Sequence, residues 1–222
     1  MKNLNIEIEV NQELYSKKPN SSELGQKILS KSIELIDEMG FEAFTFKKLG
    51  VEINSPESSI YRYFKNKHIL LVYLTSWYWS YIEYELVFTT SNIESPKDRL
   101  LKSISVLTKP IKENTLAPYI NETRLSNIIF SESIKSYHTK SVDEENRKGY
   151  FKSYKQVVQR VSDIILELKP SFEYPHMLVS TIIEGAHHQK YFAEHLPSLT
   201  DSNKENNTIE RFYIEMVLNF IK

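Results

Sequence analysis

The chain contains no cysteine. This excludes disulfide staples, thiolate nucleophiles and cysteine-ligated zinc, and it fits a reducing compartment. It also lacks a run of about eighteen apolar residues, the length a membrane-spanning helix needs. Its start, MKNLNIEIEVNQELYSKKPNSS, alternates acids with single apolar residues where a secretory leader carries a continuous apolar stretch. The expectation is a cytoplasmic protein with no membrane partner. Glycine (5) and proline (8) are scarce in 222 residues, and they fall between periodic runs, as in a mostly helical chain. An excess of one charge is lacking as well: the formal net charge is -1. That argues against a positive coat for nonspecific nucleic-acid binding, while a local basic patch is all that a DNA reader needs. With 41% hydrophobic and 26% charged residues, the chain belongs among ordinary folded proteins rather than disordered ones.

What is present is helical periodicity, so the expected fold class is all-α: an N-terminal three-helix unit followed by a helical bundle. Residues 1–22 show period-two hints at Leu4, Ile6, Ile8 and Val10 but no partner strand, and are expected to form a flexible arm. From Ser22, a capping residue, Leu24, Ile28, Leu29, Ile33 and Ile36 share a helix face that should stop at Gly40. Thr45 caps a short second helix. Asn54 suits the left-handed turn that follows, and Ser55-Pro56-Glu57 gives a third helix with Ser55 as cap and Pro56 in first position. A long fourth helix begins at Asn66. Further periodic runs cover roughly 96–109, 113–136, 143–169, 174–194 and 205–221. The expected domains are 23–68 and 69–222.

The stretch from Thr45 to Leu70 carries the chemistry. A helix, a short turn and a second short helix form the arrangement that sets a recognition helix into the major groove. Ile60 and Phe64, four apart, face inward, leaving Glu57, Ser58, Tyr61, Arg62 and Lys65 outward, and Gly50 allows close crossing of the two helices. Two readings stay open for several of these residues. Tyr61 and Tyr63 are either half-buried helix aromatics or contact groups, and Lys47, Lys48, Arg62, Lys65 and Lys67 are either a solvated face or a phosphate-facing one. Glu57 either accepts a hydrogen bond from cytosine or is only a favourable charge at a helix start.

Over residues 23–75 the sequence resembles the TetR/AcrR family of transcriptional regulators. The match reads Gly40, then Thr45 and Leu49-Gly50, then Ser59-Ile60-Tyr61-Arg62-Tyr63-Phe64, then Asn66-Lys67-His68-Ile69-Leu70. The resemblance implies phosphate contacts for Thr45, Ser59, Tyr61 and Lys67, with Tyr63 standing where a histidine or tyrosine is common. The DNA-facing set expected on both grounds is Thr45, Lys47, Glu57, Ser58, Ser59, Tyr61, Arg62, Tyr63 and Lys67. Three departures stand out: Asn54 for the usual turn glycine, Gly50 for the usual alanine, and Pro56, which moves the cap of the recognition helix to Ser55.

The resemblance further implies a ligand-responsive repressor that occupies a palindromic double-stranded operator as a homodimer, with its last two long helices forming the interface. Interface candidates are Ile182, Gly185, Ala186, Ile209, Phe212, Met216 and Phe220. The stripe from Ile209 to Phe220 supports this independently, because a lone subunit leaves it in water. Trp77, Tyr81, Tyr150 and Tyr154 are either plain core or the wall of a pocket for a small apolar or aromatic effector. No cofactor and no metal are expected. Glu184, His187, His188 and His195 cluster in sequence, but without the spacing of a zinc site they read as hydrogen-bonded interface groups. The rival classes are an all-helical carboxylate-bridged metalloenzyme, which needs a second Glu-x-x-His string beside Glu184-Gly-Ala-His187, and a protein-binding module that reads no defined operator.

Overall fold

A computed structural model describes residues 8–109, 117–132, 134–202 and 207–221. Among them every regular element is helical. In chain order these are α1 (Glu23–Ala43), α2 (Phe46–Glu52), α3 (Glu57–Tyr61), α4 (Lys67–Thr90), α5 (Pro96–Thr108), α6 (Glu122–Glu132), α7 (Ile134–Tyr137), α8 (Val142–Arg147), α9 (Lys152–Leu168), α10 (Pro175–His195) and α11 (Thr208–Phe220), with short 3-10 turns between some of them. None of the described helices is long and apolar enough to cross a membrane. The chain divides into two compact units, Met1–Ser80 with Ile111–Lys152, and Tyr81–Pro110 with Ser153–Lys222.

In the first unit α1 starts where Ser22 Oγ accepts the Gly25 N–H at 3.2 Å, and it buries Ile28, Leu29, Ile33 and Ile36. It breaks at Gly40, whose φ of 75° and ψ of 157° suit glycine almost alone. Helix α6 lies along α1. Arg124 reaches Glu38 at 2.9 Å, Asn127 Nδ2 donates to Asp37 at 3.3 Å, and Glu132 Oε1 accepts the Phe41 N–H at 3.0 Å, just past the break. These cross-links explain why 117–132 join the N-terminal helices, a grouping different from the expected division at residue 69.

The N-terminal segment is also part of this unit. Leu14 is fully buried, Ser16 N–H donates to the Tyr63 carbonyl at 2.9 Å, and Ser80 Oγ donates to the Glu9 carbonyl at 3.0 Å. The expected flexible arm is thus a packed segment from residue 9 onward, because one large apolar side chain anchors it. Leu4 and Ile6 lie outside the described residues.

Helix α4 opens on Asn66, whose Oδ1 accepts the Ile69 N–H at 2.8 Å. From Leu70 to Trp79 every side chain is buried, as in a helix apolar on all sides. Two of the expected long runs are interrupted. The described helix in the run 113–136 begins only at Glu122, with residues 113–116 outside the description, and the run 143–169 breaks at Gly149, whose φ is 78°.

In the second unit α10 packs against both α5 and α11. Ile182 and Ala186 are fully buried inside this unit, so they belong to the chain's own core and not to a face a second copy could cover. Gly185 is explained in the same way. A Cβ there would stand 2.1 Å from the Tyr213 hydroxyl, so the glycine admits Tyr213 of α11.

Candidate nucleic-acid interface

Helix α2 is set by Thr45, whose Oγ1 accepts the Lys48 N–H at 3.2 Å. Phe46 and Leu49 anchor it in the core. Gly50 is required by a close approach: a Cβ would lie 2.8 Å from the Ser55 carbonyl oxygen, while the Gly50 carbonyl accepts the Ser55 N–H at 2.9 Å. Asn54 turns the chain at φ 50°. The cap of α3 differs from expectation. Pro56, with ψ 144°, is itself the capping residue and no side chain bonds there, because Ser55 is drawn into the turn through its backbone. Ile60 and Phe64 are fully buried and fix the helix from beneath.

This scaffold presents Thr45, Lys47, Ser58, Tyr61 and Arg62 to solvent, with Glu57 and Ser59 half-covered beside them. Tyr61 is half exposed, yet its ring is held edge-on against buried Phe46 at 5.1 Å. Desolvation, the adjacent Glu57 carboxylate and a hydrogen bond to it raise the Tyr61 phenol above its ordinary value. Phe46, which sequence reasoning left out of the site, thereby orients its most prominent hydroxyl. The aromatic residue one place after the cap was the available signal.

Two expected members of the site have other partners. Tyr63 is buried, and its hydroxyl bonds Ser22 Oγ at 2.8 Å, tying α1 to the end of the recognition segment. Lys67 donates to the carbonyls of Phe41, Glu42 and Phe44 at 2.9, 3.1 and 3.1 Å and lies over the Phe41 ring. An ammonium has three N–H donors, so these bonds use them all. Lys48 likewise donates to the Ala43 carbonyl at 2.8 Å. Both lysines serve the connection from α1 to α2, whose free carbonyls attract them.

Residues 28–74 match the family model described as bacterial regulatory proteins, tetR family. The N-terminal segment therefore carries that family's domain, which points to DNA-binding regulation. No curated protein matches the chain. A solved structure titled "Crystal structure of superantigen PfiT" is similar at a TM-score of 0.60 and 16% identity, over 91% of this chain and 97% of that one. At that identity the likeness concerns the fold.

Trp77, Tyr81 and Tyr150 are buried, and Tyr154 donates its hydroxyl to Glu184 Oε1 at 2.9 Å. Trp77 and Tyr150 belong to the first unit, Tyr81 and Tyr154 to the second. Two described clefts are polar. One, of about 390 Å³, is crossed by the pairs Arg99–Glu167 and Arg160–Glu83, and the other, of about 370 Å³, includes Tyr150. The Glu184 group has local partners: His188 Nδ1 meets the Glu184 carbonyl at 2.8 Å, and His187 is buried. Among the described residues no three acid or imidazole side chains converge as metal ligands.

Proposed function

We propose that the chain is a transcriptional regulator that binds a palindromic duplex as a homodimer and represses by occupying it. The observation that carries this reading is the outward row Thr45, Lys47, Ser58, Tyr61 and Arg62 on a rigidly anchored α2–turn–α3 pair, within the segment that matches the regulatory family. A helix–turn–helix of this kind places its second helix in the major groove. Thr45, Ser59, Tyr61 and Lys47 meet phosphate and set the register, while Ser58, Arg62 and Glu57 face base edges.

Dimerisation is supported by apolar residues left in solvent on the last two helices. Phe212 and Phe220 of α11 are 56% and 59% exposed, and Met177 of α10 is 67% exposed. Ile209 and Met216 are half-covered on the same helix as the two phenylalanines. Large apolar side chains left in solvent along one helix favour an interaction surface, and two-fold symmetry of the protein imposes two-fold symmetry on the DNA site.

The test is selection of bound duplexes from a random pool by the full chain, together with its mass in solution. Enrichment of inverted repeats by a dimer supports the reading. Recovery of unselected sequences at the nonspecific level sinks it.

A further inference from the structure

From the cavity beside the first turn of α4, we infer a binding site for a small organic amine, held by Glu145. The cavity, about 370 Å³, lies wholly within the first unit, between the segment around Glu13–Ser16, the start of α4 and helix α8. Its volume falls in the range of small-molecule sites.

Glu145 is the decisive residue. It is only 6% exposed, and its Oε1 is met by His68 Nε2 at 2.8 Å and by the Ser141 hydroxyl at 3.0 Å. Its Oε2 is buried and has no hydrogen-bond partner. A buried carboxylate oxygen without a donor is costly and calls for a specific explanation.

The other walls indicate which donor fits. Glu13 and Glu144 add carboxylates, and Tyr15 and Tyr150 add aromatic surface of the kind that attracts cations. Of the two lysines present, Lys148 is bound to Glu144 at 2.6 Å. The lining thus holds three carboxylates against two lysines and one imidazole, a balance that favours a positive guest over an anion. Acid and imidazole groups do not converge as metal ligands among the described residues, which leaves an ammonium on a carbon skeleton as the fitting chemistry.

Occupancy has a defined consequence. His68 and Ser141 already hold Oε1 of this carboxylate, so an ammonium drawn to Glu145 competes with His68 for its charge. His68 sits in the first turn of α4, directly after the recognition segment, and its bond to Glu145 holds that turn to α8. The site itself stands on the cavity. Its effect on DNA affinity rests on the regulator reading above.

The test is calorimetric titration of the full chain with butane-1,4-diamine and with the neutral butane-1,4-diol. The diamine should bind and the diol should not. Glu145→Gln should weaken diamine binding at least about tenfold, Glu13→Gln on the surface should weaken it a few-fold, and His68→Ala should tighten it by removing the competitor. Equal binding of diol and diamine overturns the assignment. So does unchanged diamine affinity in Glu13→Gln, a variant that keeps the assay decisive if Glu145→Gln fails to fold. Measuring the same diamine against selected DNA separates the two readings: binding without any change in DNA affinity retains the site and removes its regulatory role.

Discussion

Tyr61 and Lys67 carry similar expectations from sequence and have different fates in the structure. Tyr61 is presented, with buried Phe46 beneath it. Its replacement by phenylalanine should weaken binding to every duplex by a similar factor, roughly three- to tenfold, since the proposed phosphate contact loses its hydroxyl. Gel-shift titration on selected and scrambled DNA checks this. Lys67 instead ties down three carbonyls of the α1–α2 connection. Lys67→Ala should lower unfolding free energy by about 1–3 kcal/mol while leaving the slope of log affinity against log salt unchanged. A slope reduced by about 1 would restore Lys67 to the phosphate-contacting set. At Gly50 the 2.8 Å approach to the Ser55 oxygen makes alanine a poor substitute despite its better helix propensity. Gly50→Ala should cost about 1–3 kcal/mol in a denaturant melt.

At the scale of elements, the starts of α1, α2 and α4 were the most legible part of the sequence, since their capping residues are local. Ser22, Thr45 and Asn66 cap the helices they precede, and Gly40 and Asn54 take the positive φ angles their positions demand. The missed break at Gly149 has the same local cause, yet the apolar spacing on either side of it masks the interruption. The roles of Tyr63, Lys67 and Glu132 were not legible, because each is fixed by a partner distant in sequence. Helix α10 carries a testable consequence of burial. Burial, with Lys190 and His188 adding to it, holds the His187 imidazole well below its ordinary value. In acid the unfolded chain takes up this proton while the folded chain does not. Stability should therefore fall as pH drops below about 6.5, by up to about 1.4 kcal/mol per pH unit while only the unfolded form is protonated. His187→Gln, if it folds, should flatten this part of the pH–stability curve.

For the whole molecule, the expectation of an all-helical chain agrees with the described elements, whereas the grouping of those elements depended on contacts that no sequence window contains. Helix α6 joins the N-terminal unit through Arg124, Asn127 and Glu132, each bonded to α1. The proposed assembly depends on the exposed phenylalanines of α11. Replacing both Phe212 and Phe220 by serine should convert a dimer to a monomer in light scattering without lowering the helical signal. The central claim is that the α2–α3 face reads DNA. It is tested most directly by measuring the affinity of the full chain and of Arg62→Ala for a duplex selected from a random pool, against a scrambled duplex, at two salt concentrations. The account predicts preference for the selected inverted repeat, affinity that falls steeply with salt, and a loss for Arg62→Ala of about 1–3 kcal/mol that is larger on the selected site than on the scrambled one. Equal, weak binding of both duplexes by the unaltered protein would contradict it.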